Sequence, residues 1–378
     1  MQYSKFGKTG LNISKLGFGS MRMPILNENN SEIDEEKSKE MLYYAINNGI
    51  NYIDTAYNYH EGKSEEFLGR ALKDGYRQKI YLATKLPVWK VEKYEDFEMY
   101  LDEQLERLKT DYIDFYLLHA LGISRWNKIK NLKVFDFIKK AKESGKIKYM
   151  GFSFHDKLEA FKEIVDSYNW DFCQIQLNYM DQNYQAGIEG LNYAAAKDIP
   201  VIIMEPVKGG KLASNSNEDI NKLWNDMPVK RSPAQWALKW LFNNEKVSLV
   251  LSGMSELKHV KENIEAADET TQNSLTKKEL EIIDKVKGIF DNKTRINCTG
   301  CEYCMPCPNN IPIPFLFEDY NNIFLYDDNK GKKRYRKLMD KGCSANSCVE
   351  CRKCESMCPQ NINIVDKLKE LHEFYMSN

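Results

Sequence analysis

Eight short apolar runs, spaced at fairly even intervals between residues 11 and 266, restrict this chain to folds built on a parallel sheet. They cover residues 16–19, 52–54, 80–84, 115–118, 149–152, 173–177, 201–204 and 248–251. Each is apolar along most of its length, as a strand covered on both faces must be; a strand with one wet face would alternate. Parallel neighbours cannot be joined by a tight turn. The intervening stretches carry helical periodicity at 35–48, 64–74, 94–108, 134–143, 158–167, 184–197, 233–243 and 257–266. Pro233 after Ser232 marks a helix start, and Gly145 after Lys142 and Glu143 marks a helix end. Eight strand–helix pairs in about 255 residues predict an α/β fold of the (β/α)8 barrel type. An open doubly wound sheet is the alternative that periodicity alone leaves standing.

In such a barrel the reacting groups stand at the C-terminal ends of the strands. The second run ends in Asp54 (NYIDTAYNYH) with Tyr59 five residues on, the third leads to Lys85 (IYLATK) and the fourth to His119 (DFYLLH). Taken singly, an Asp caps a helix, a Lys ends a strand and a His closes a core. Together they offer a phenol, an ammonium, a carboxylate and an imidazole on neighbouring strand ends, a set that carbonyl reduction can use. A phenol with its ordinary pKa of about 10 is a poor acid unless a buried ammonium stabilises the phenolate. A carboxylate that keeps the Lys charged sustains that help.

The segments GFGS (17–20), DTAYNYHEGKSEEFLGRAL (54–72), ATK (83–85), LLH (117–119), GFSFHD (151–156), QIQLNY (174–179) and EPVKGGKL (205–212) closely resemble the aldo-keto reductases, across essentially all of residues 1–266. The resemblance implies an NAD(P)H-dependent oxidoreductase interconverting a carbonyl and an alcohol. It implies Tyr59 as general acid, Lys85 as its pKa-lowering partner, Asp54 pairing with Lys85, and His119 orienting the substrate carbonyl. For the cofactor it implies Gly19, Ser20 and Asp54 near the nicotinamide and Ser153 and Gln174 at its carboxamide. The loop 252–263, with Ser252, Gly253, Met254 and His259, falls at the adenosine phosphate end, and Glu262 and Asn263 match the adenine-contacting pair. Three departures from the pattern stand out. Phe154 stands where many members have Asn, and Met204-Glu205 stand where many stack a Tyr on the nicotinamide. Gly253, Met254 and His259 replace the Lys-Ser pair and Arg that often hold a 2'-phosphate. A guanidinium or ammonium binds such a dianion best, so NADH and NADPH both stay open, with Lys258 and Lys261 as substitute cations.

Ten cysteines divide the chain a second time: Cys173 stands apart, and the other nine fall between Cys298 and Cys358. The N-terminus MQYSKFGKTG has no apolar secretion segment, and no window approaches the about 18 apolar residues of a membrane span. A cytoplasmic protein is therefore expected, in which clustered Cys ligate metal rather than form disulfides. The groups run Cys298-x2-Cys301-x2-Cys304-x2-Cys307-Pro308 and Cys348-x2-Cys351-x2-Cys354-x3-Cys358-Pro359, the second being the bacterial ferredoxin spacing. Three thiolates at successive i, i+3 spacings hold three corners of one [4Fe-4S] cubane, while the fourth, before Pro, turns toward a second. Crossing of this kind assigns Cys298, Cys301, Cys304 and Cys358 to one cluster and Cys348, Cys351, Cys354 and Cys307 to the other. Structural zinc, which favours two Cys pairs across a longer spacer, is the rival. Cys343 is then a spare thiol and Cys173 a small buried hydrophobe. CTGCEYCMPCP and CRKCESMCPQNINI also resemble the ferredoxin-like extension carried by a subset of aldo-keto reductases.

The expected organisation is a barrel over residues 1–272, a helical connector over 273–291 and a ferredoxin-like two-cluster domain over 292–378. Net charge is −1 with Lys and Arg scattered, so neither nucleic acid nor membrane is an expected partner. The one basic run, 330–341 (KGKKRYRKLMDK), reads as a solvated linker or as a docking face for an acidic external redox partner. Gly62-Lys63-Ser64 imitates the end of a phosphate loop, but Tyr57 stands where that loop needs Gly, and delivery of Ser64 to a helix N-cap is the simpler reading. Trp89 and Trp126 are expected to wall the pocket of a small-molecule carbonyl substrate. A hydride carries two electrons and a cluster moves one, with no flavin-like site to convert between them. The clusters are thus either electron carriers or staples of the small domain. The alternative function is an electron-transfer protein whose barrel binds a partner or small molecule without nicotinamide turnover. Substrate and oligomeric state are not legible in the sequence.

Overall fold

A computed structural model describes residues 1–377 apart from 28, 215, 216, 327 and 329. Eight parallel strands close into a barrel: β1 (Leu16–Gly19), β2 (Tyr52–Asp54), β3 (Tyr81–Leu86), β4 (Ile113–Leu121), β5 (Ile147–Phe154), β6 (Phe172–Gln176), β7 (Val201–Met204) and β8 (Val247–Gly253), which pairs back to β1. The open sheet is ruled out by that closing pair. Strand β1 is followed by α1 (Glu35–Asn47), β2 by α2 (Lys63–Ala71), β3 by α3 (Glu95–Leu108), β4 by α4 (Ile123–Asn131) and α5 (Val134–Glu143). After β5 comes α6 (Leu158–Asp166), after β6 α7 (Gly187–Ala195), after β7 α8 (Glu218–Asn225) and α9 (Pro233–Phe242), and after β8 α10 (Leu257–Glu269). Helix α4 forms where a loop is expected, because Ile129 and Trp126, one turn apart, are both buried.

Alternation along the strands divides the core in two. Leu82, Tyr116 and Leu118 face outward under the helices, while Tyr52, Ala83, Phe115, Leu117, Phe172, Ile202 and Leu249 fill the barrel. An N-terminal hairpin, Tyr3–Lys5 paired with Asn12–Ser14, adds Phe6 and Ile13 to that interior, with the Phe6 ring 5.4 Å from Phe115. The hairpin is unmarked in the sequence reading; it plugs the N-terminal end of the barrel with apolar groups.

By packing, the chain forms two compact units, Met1–Pro206 with Gln235–Leu275, and Val207–Ala234 with Thr276–Asn378. The segment after β7, assigned to the barrel from sequence, thus groups with the C-terminal residues. In that second unit α11 (Lys277–Lys293) starts from a capping box between Thr276 and Glu279, and Arg231 also binds Glu279. It is followed by α12 (Ile313–Tyr326), α13 (Gly331–Asp340), α14 (Lys353–Met357) and α15 (Ile364–Ser377). The basic run is helix α13 rather than a linker: Tyr335 is buried and stacks on Tyr375 at 4.4 Å, and Arg334 binds the buried Asp319. Among the described residues no helix is long and apolar enough to cross a membrane.

Candidate active site

The alternation that buries Tyr52, Ala83 and Leu117 inside the barrel sends the next inward residues, Asp54, Lys85 and His119, to its C-terminal rim. Tyr59 arrives from a tight turn, Tyr59–Gly62, in which His60 and Glu61 both take positive φ and the His60 ring is tied to the Asn30 carbonyl at 2.9 Å. Lys85 Nζ donates to Asp54 Oδ2 at 2.6 Å, to the Thr55 carbonyl at 2.7 Å and to Tyr59 Oη at 3.2 Å. Burial pushes the Asp54 carboxyl up and the Lys85 ammonium down, and their mutual attraction opposes both shifts. A carboxylate and a carbonyl at such short range fit the charged pair, the ammonium having one N–H for each of its three partners. His119 is 3% exposed and its ring meets Tyr59 edge-on at 6.2 Å. Burial and then the Lys85 charge hold its pKa well below the usual His range, so the ring is neutral at neutral pH.

Behind Lys85 lies a buried network with no sequence signal beyond polar residues on the inner faces of α2 and α3. Glu65 Oε1 accepts from Thr84 Oγ1 at 2.6 Å and from Gln104 Nε2, which also reaches the Lys85 carbonyl at 3.1 Å. Tyr116 Oη in turn donates to Gln104 Oε1 at 2.7 Å, so the end of β3 is fixed on both sides. Trp89 stands beside the site, its ring 5.1 Å from His119. Trp126 does not wall it: the side chain is fully buried on α4 against Phe135 and Trp170.

The residues expected at the nicotinamide fit a carboxamide. Gln174 is 1% exposed, and its Oε1 has no protein partner among the described residues, a costly state for an amide oxygen that a carboxamide N–H would relieve. On the adjacent strand Ser153 Oγ accepts from the Ala120 amide at 2.7 Å, which directs its own hydrogen elsewhere. Gly19 ends β1, and Ser20 Oγ accepts from Ser64 Oγ at 2.8 Å. Ser64 is therefore not a helix cap: Gly62 occupies that position, and Ser64 bonds Thr55 and Ser20 in the core. After β8, Asn263 Nδ2 donates to Ser252 Oγ at 3.0 Å, Gly253 is exposed, and His259 and Glu262 are half-buried on α10. The Met254 side chain belongs to the apolar core, which leaves a ligand no more than its backbone to meet. Lys258 pairs with Glu256 at 2.8 Å, Lys261 lies over the Tyr44 ring, and Arg22, unremarked in the sequence, packs against Gly253.

In the second unit, Cys307, Cys348, Cys351 and Cys354 line one cavity of about 110 Å³ together with Cys304, Ile311, Ile313, Val365 and Leu368. The sulfur neighbours that act electrostatically on Cys304 are Cys301, Cys298 and Cys358. Gly300, Glu302, Glu350 and Arg352 take positive φ between the cysteines, and the Gly300 and Glu350 amides point to the sulfurs of Cys298 and Cys348 at 3.4 Å each. Among the described residues no three side chains converge as a single metal ion would require; a cubane needs its four thiolates set further apart. Cys343 bonds the Leu338 carbonyl through its sulfur, and Cys173 is buried on β6, where burial pushes its thiol up. Thr299, beside Cys298, is approached so closely by Gly209 (φ +66) that a Cβ there would lie 2.1 Å from the Thr299 oxygen. Gly209→Ala is therefore expected to destabilise this unit by about 2 kcal/mol or more and lower iron content, read by denaturation and iron assay.

A sequence model of the aldo/keto reductase family matches residues 15–287. The chain belongs to that family. A model of the 4Fe-4S dicluster domain matches residues 297–363. This aldo/keto reductase is 29% identical over 300 residues to an uncharacterized oxidoreductase of Bacillus subtilis, covering 71% of this chain and 92% of that one. It is 25% identical over 313 residues to the NADH-specific methylglyoxal reductase of Escherichia coli, covering 70% and 93%. The holo form of an aldo-keto reductase from Bacillus halodurans superposes with a TM-score of 0.63 at 28% identity, covering 76% of this chain and 96% of that one. The aldo/keto reductase is accordingly an oxidoreductase with a second, iron–sulfur type domain.

Proposed function

We propose that this oxidoreductase reduces a carbonyl to an alcohol with NAD(P)H, and that Tyr59 delivers the proton. The observation that carries the reading is one ammonium, Lys85, placed 3.2 Å from Tyr59 Oη and 2.6 Å from Asp54 Oδ2 inside the barrel rim. When bound, the nicotinamide supplies hydride to the carbonyl carbon. As charge grows on the carbonyl oxygen, Tyr59 Oη gives it a proton, and the remaining phenolate is stabilised by the Lys85 charge that Asp54 sustains. Neutral His119 donates a hydrogen bond to the same oxygen and orients it. Ser153 and Gln174 hold the carboxamide. Ser252, Asn263, Glu262, His259 and the Gly253–Met254 backbone line the other end of the dinucleotide. The relative named for methylglyoxal reduction supports a small carbonyl substrate.

The cysteine groups suit two [4Fe-4S] clusters with crossed ligands, and the exposed Cys351 and Val349 at the edge of the cavity support one-electron exchange with an external carrier. The test is anaerobic. Protein purified without oxygen should oxidise NADH or NADPH with one alcohol formed per nucleotide, and deuterium from the labelled cofactor should appear on the carbinol carbon. Cofactor binding without turnover on a panel of aldehydes, ketones and quinones would instead favour the pure electron-transfer reading. Clusters that stay oxidised under NADH while carbonyl turnover proceeds would assign them a structural role.

A further inference from the structure

We infer that the solvent face of α13, with Lys333, Arg336, Lys337 and the C-cap Lys341, docks a small acidic protein that carries one electron and holds it against the Cys351 edge; this rests on cluster electron exchange as proposed above. All four side chains are exposed, and among the described residues none of them forms an ion pair or a hydrogen bond. The inner side of the helix is fully engaged. Tyr335 stacks on Tyr375 at 4.4 Å and bonds the His372 ring at 2.7 Å, Arg334 binds the buried Asp319, and Leu338 and Met339 pack on the apolar core of this unit. The outer row is unfavourable within the chain itself. Lys333 and Lys337 lie one turn apart, a spacing at which like charges weaken a helix, and the first turn holds no acid to match the positive end of the helix dipole. Asp340 is the only acid on α13 and pairs with none of these cations. Carboxylates from another molecule would relieve that repulsion.

The helix ends against a cysteine run. Ser347 Oγ donates to the Gly342 carbonyl at 2.9 Å, which closes the turn after α13 and sets Lys341 and Cys348, the residues flanking that bond, at its two ends. Asn309 Nδ2 donates to the Ser347 carbonyl at 2.6 Å and so draws Cys307, two residues before it, to the same place. Cys307, Cys348 and Cys351 line one cavity. Cys351 is exposed where the other seven candidate ligands are half-buried, the neighbouring Val349 is 64% exposed, and Lys353 on the cavity wall is one more exposed cation without an ion pair. Electron transfer falls off steeply with distance, so a carrier has to rest on such an edge. The face offers nothing to a bilayer or a nucleic acid: Leu338 and Met339 pack inward and the one aromatic, Tyr335, is buried, which leaves no apolar wedge and no ring for a base. Charge complementarity then selects an acidic protein surface.

Anaerobic holoenzyme is mixed by stopped flow with a reduced bacterial ferredoxin, a small acidic protein; one electron leaves the ferredoxin, one oxidised cluster takes it up, and no bond forms or breaks. The second-order rate constant is expected to fall at least about tenfold between about 50 and about 300 mM salt. In Lys333→Glu/Lys337→Glu it falls about thirtyfold or more at low salt, while Lys333→Arg/Lys337→Arg, which keeps the charge, stays within about threefold of the wild type. Lys73→Glu/Lys278→Glu, the same charge change at exposed positions elsewhere, also stays within about threefold. A reduced viologen, small enough to need no docking face, reduces all four proteins alike. Titration with oxidised ferredoxin gives a readout without electron transfer: its dissociation constant rises about tenfold or more in Lys333→Glu/Lys337→Glu. Equal rates and equal affinity in the wild type and that variant would overturn the inference and leave cluster electron exchange standing. So would reduction by viologen with no binding of ferredoxin, or binding of phosphatidylserine vesicles or duplex DNA to α13 in its place. Clusters that neither reductant reduces would overturn the electron-carrier reading and this inference with it.

Discussion

Tyr59→Phe is expected to lower turnover about a hundred- to ten-thousand-fold while cofactor affinity changes by no more than about twofold, as measured by single-turnover kinetics and equilibrium titration. The substitution deletes one oxygen and little else. The ring keeps its edge-on packing against His119, and Lys85 keeps both Asp54 Oδ2 and the Thr55 carbonyl, so the ion pair under the site survives. What disappears is the proton needed only as charge develops on the carbonyl oxygen, and its loss falls on kcat rather than on ground-state binding. Asp54→Asn is a less informative change. It strands a fully buried ammonium, and breaking a pair of that kind costs about 3–5 kcal/mol in folding, which would mix a stability loss into the kinetics. Near-normal turnover by Tyr59→Phe would show that the proton comes from elsewhere.

Removing one thiol should have an effect of similar size on the metal content. With crossed ligands, Cys358→Ala removes the cluster bound by Cys298, Cys301 and Cys304, although Cys358 lies in the other sequence run. Iron and acid-labile sulfide are expected to fall from about eight to about four per chain. The electron paramagnetic resonance spectrum of reduced Cys358→Ala should match that of Cys301→Ala and differ from that of Cys351→Ala. The structural basis is that the sulfurs acting electrostatically on Cys304 are Cys301, Cys298 and Cys358, whereas Cys348, Cys351 and Cys354 meet Cys307 in a cavity that Cys304 also borders. A spectrum matching Cys351→Ala would mean that each run holds its own cluster, and zinc in place of iron would remove the assignment altogether.

The eight strands, the four rim residues and the two cysteine runs were legible because each is written locally: an apolar run, a polar residue just beyond it, a spacing of three. The same locality explains the misreadings. Ser64 looks like a cap in its own neighbourhood, yet its hydroxyl is taken up by Thr55 and Ser20, residues from two other stretches of chain. Trp126 follows a strand as a pocket residue would, but Ile129 one turn on marks a helix that buries it. The basic run looks solvated until Tyr335 is seen against Tyr375.

From the sequence alone came the barrel, the identity of the phenol, ammonium, carboxylate and imidazole at its rim, and the thiols able to hold iron. Only the folded chain decided that Lys85 stands within reach of both Asp54 and Tyr59, and that Glu65 and Gln104 fix the strand behind it. The physical reason is range: periodicity and spacing report what neighbours along the chain do, whereas these contacts join residues that become neighbours only when the sheet closes.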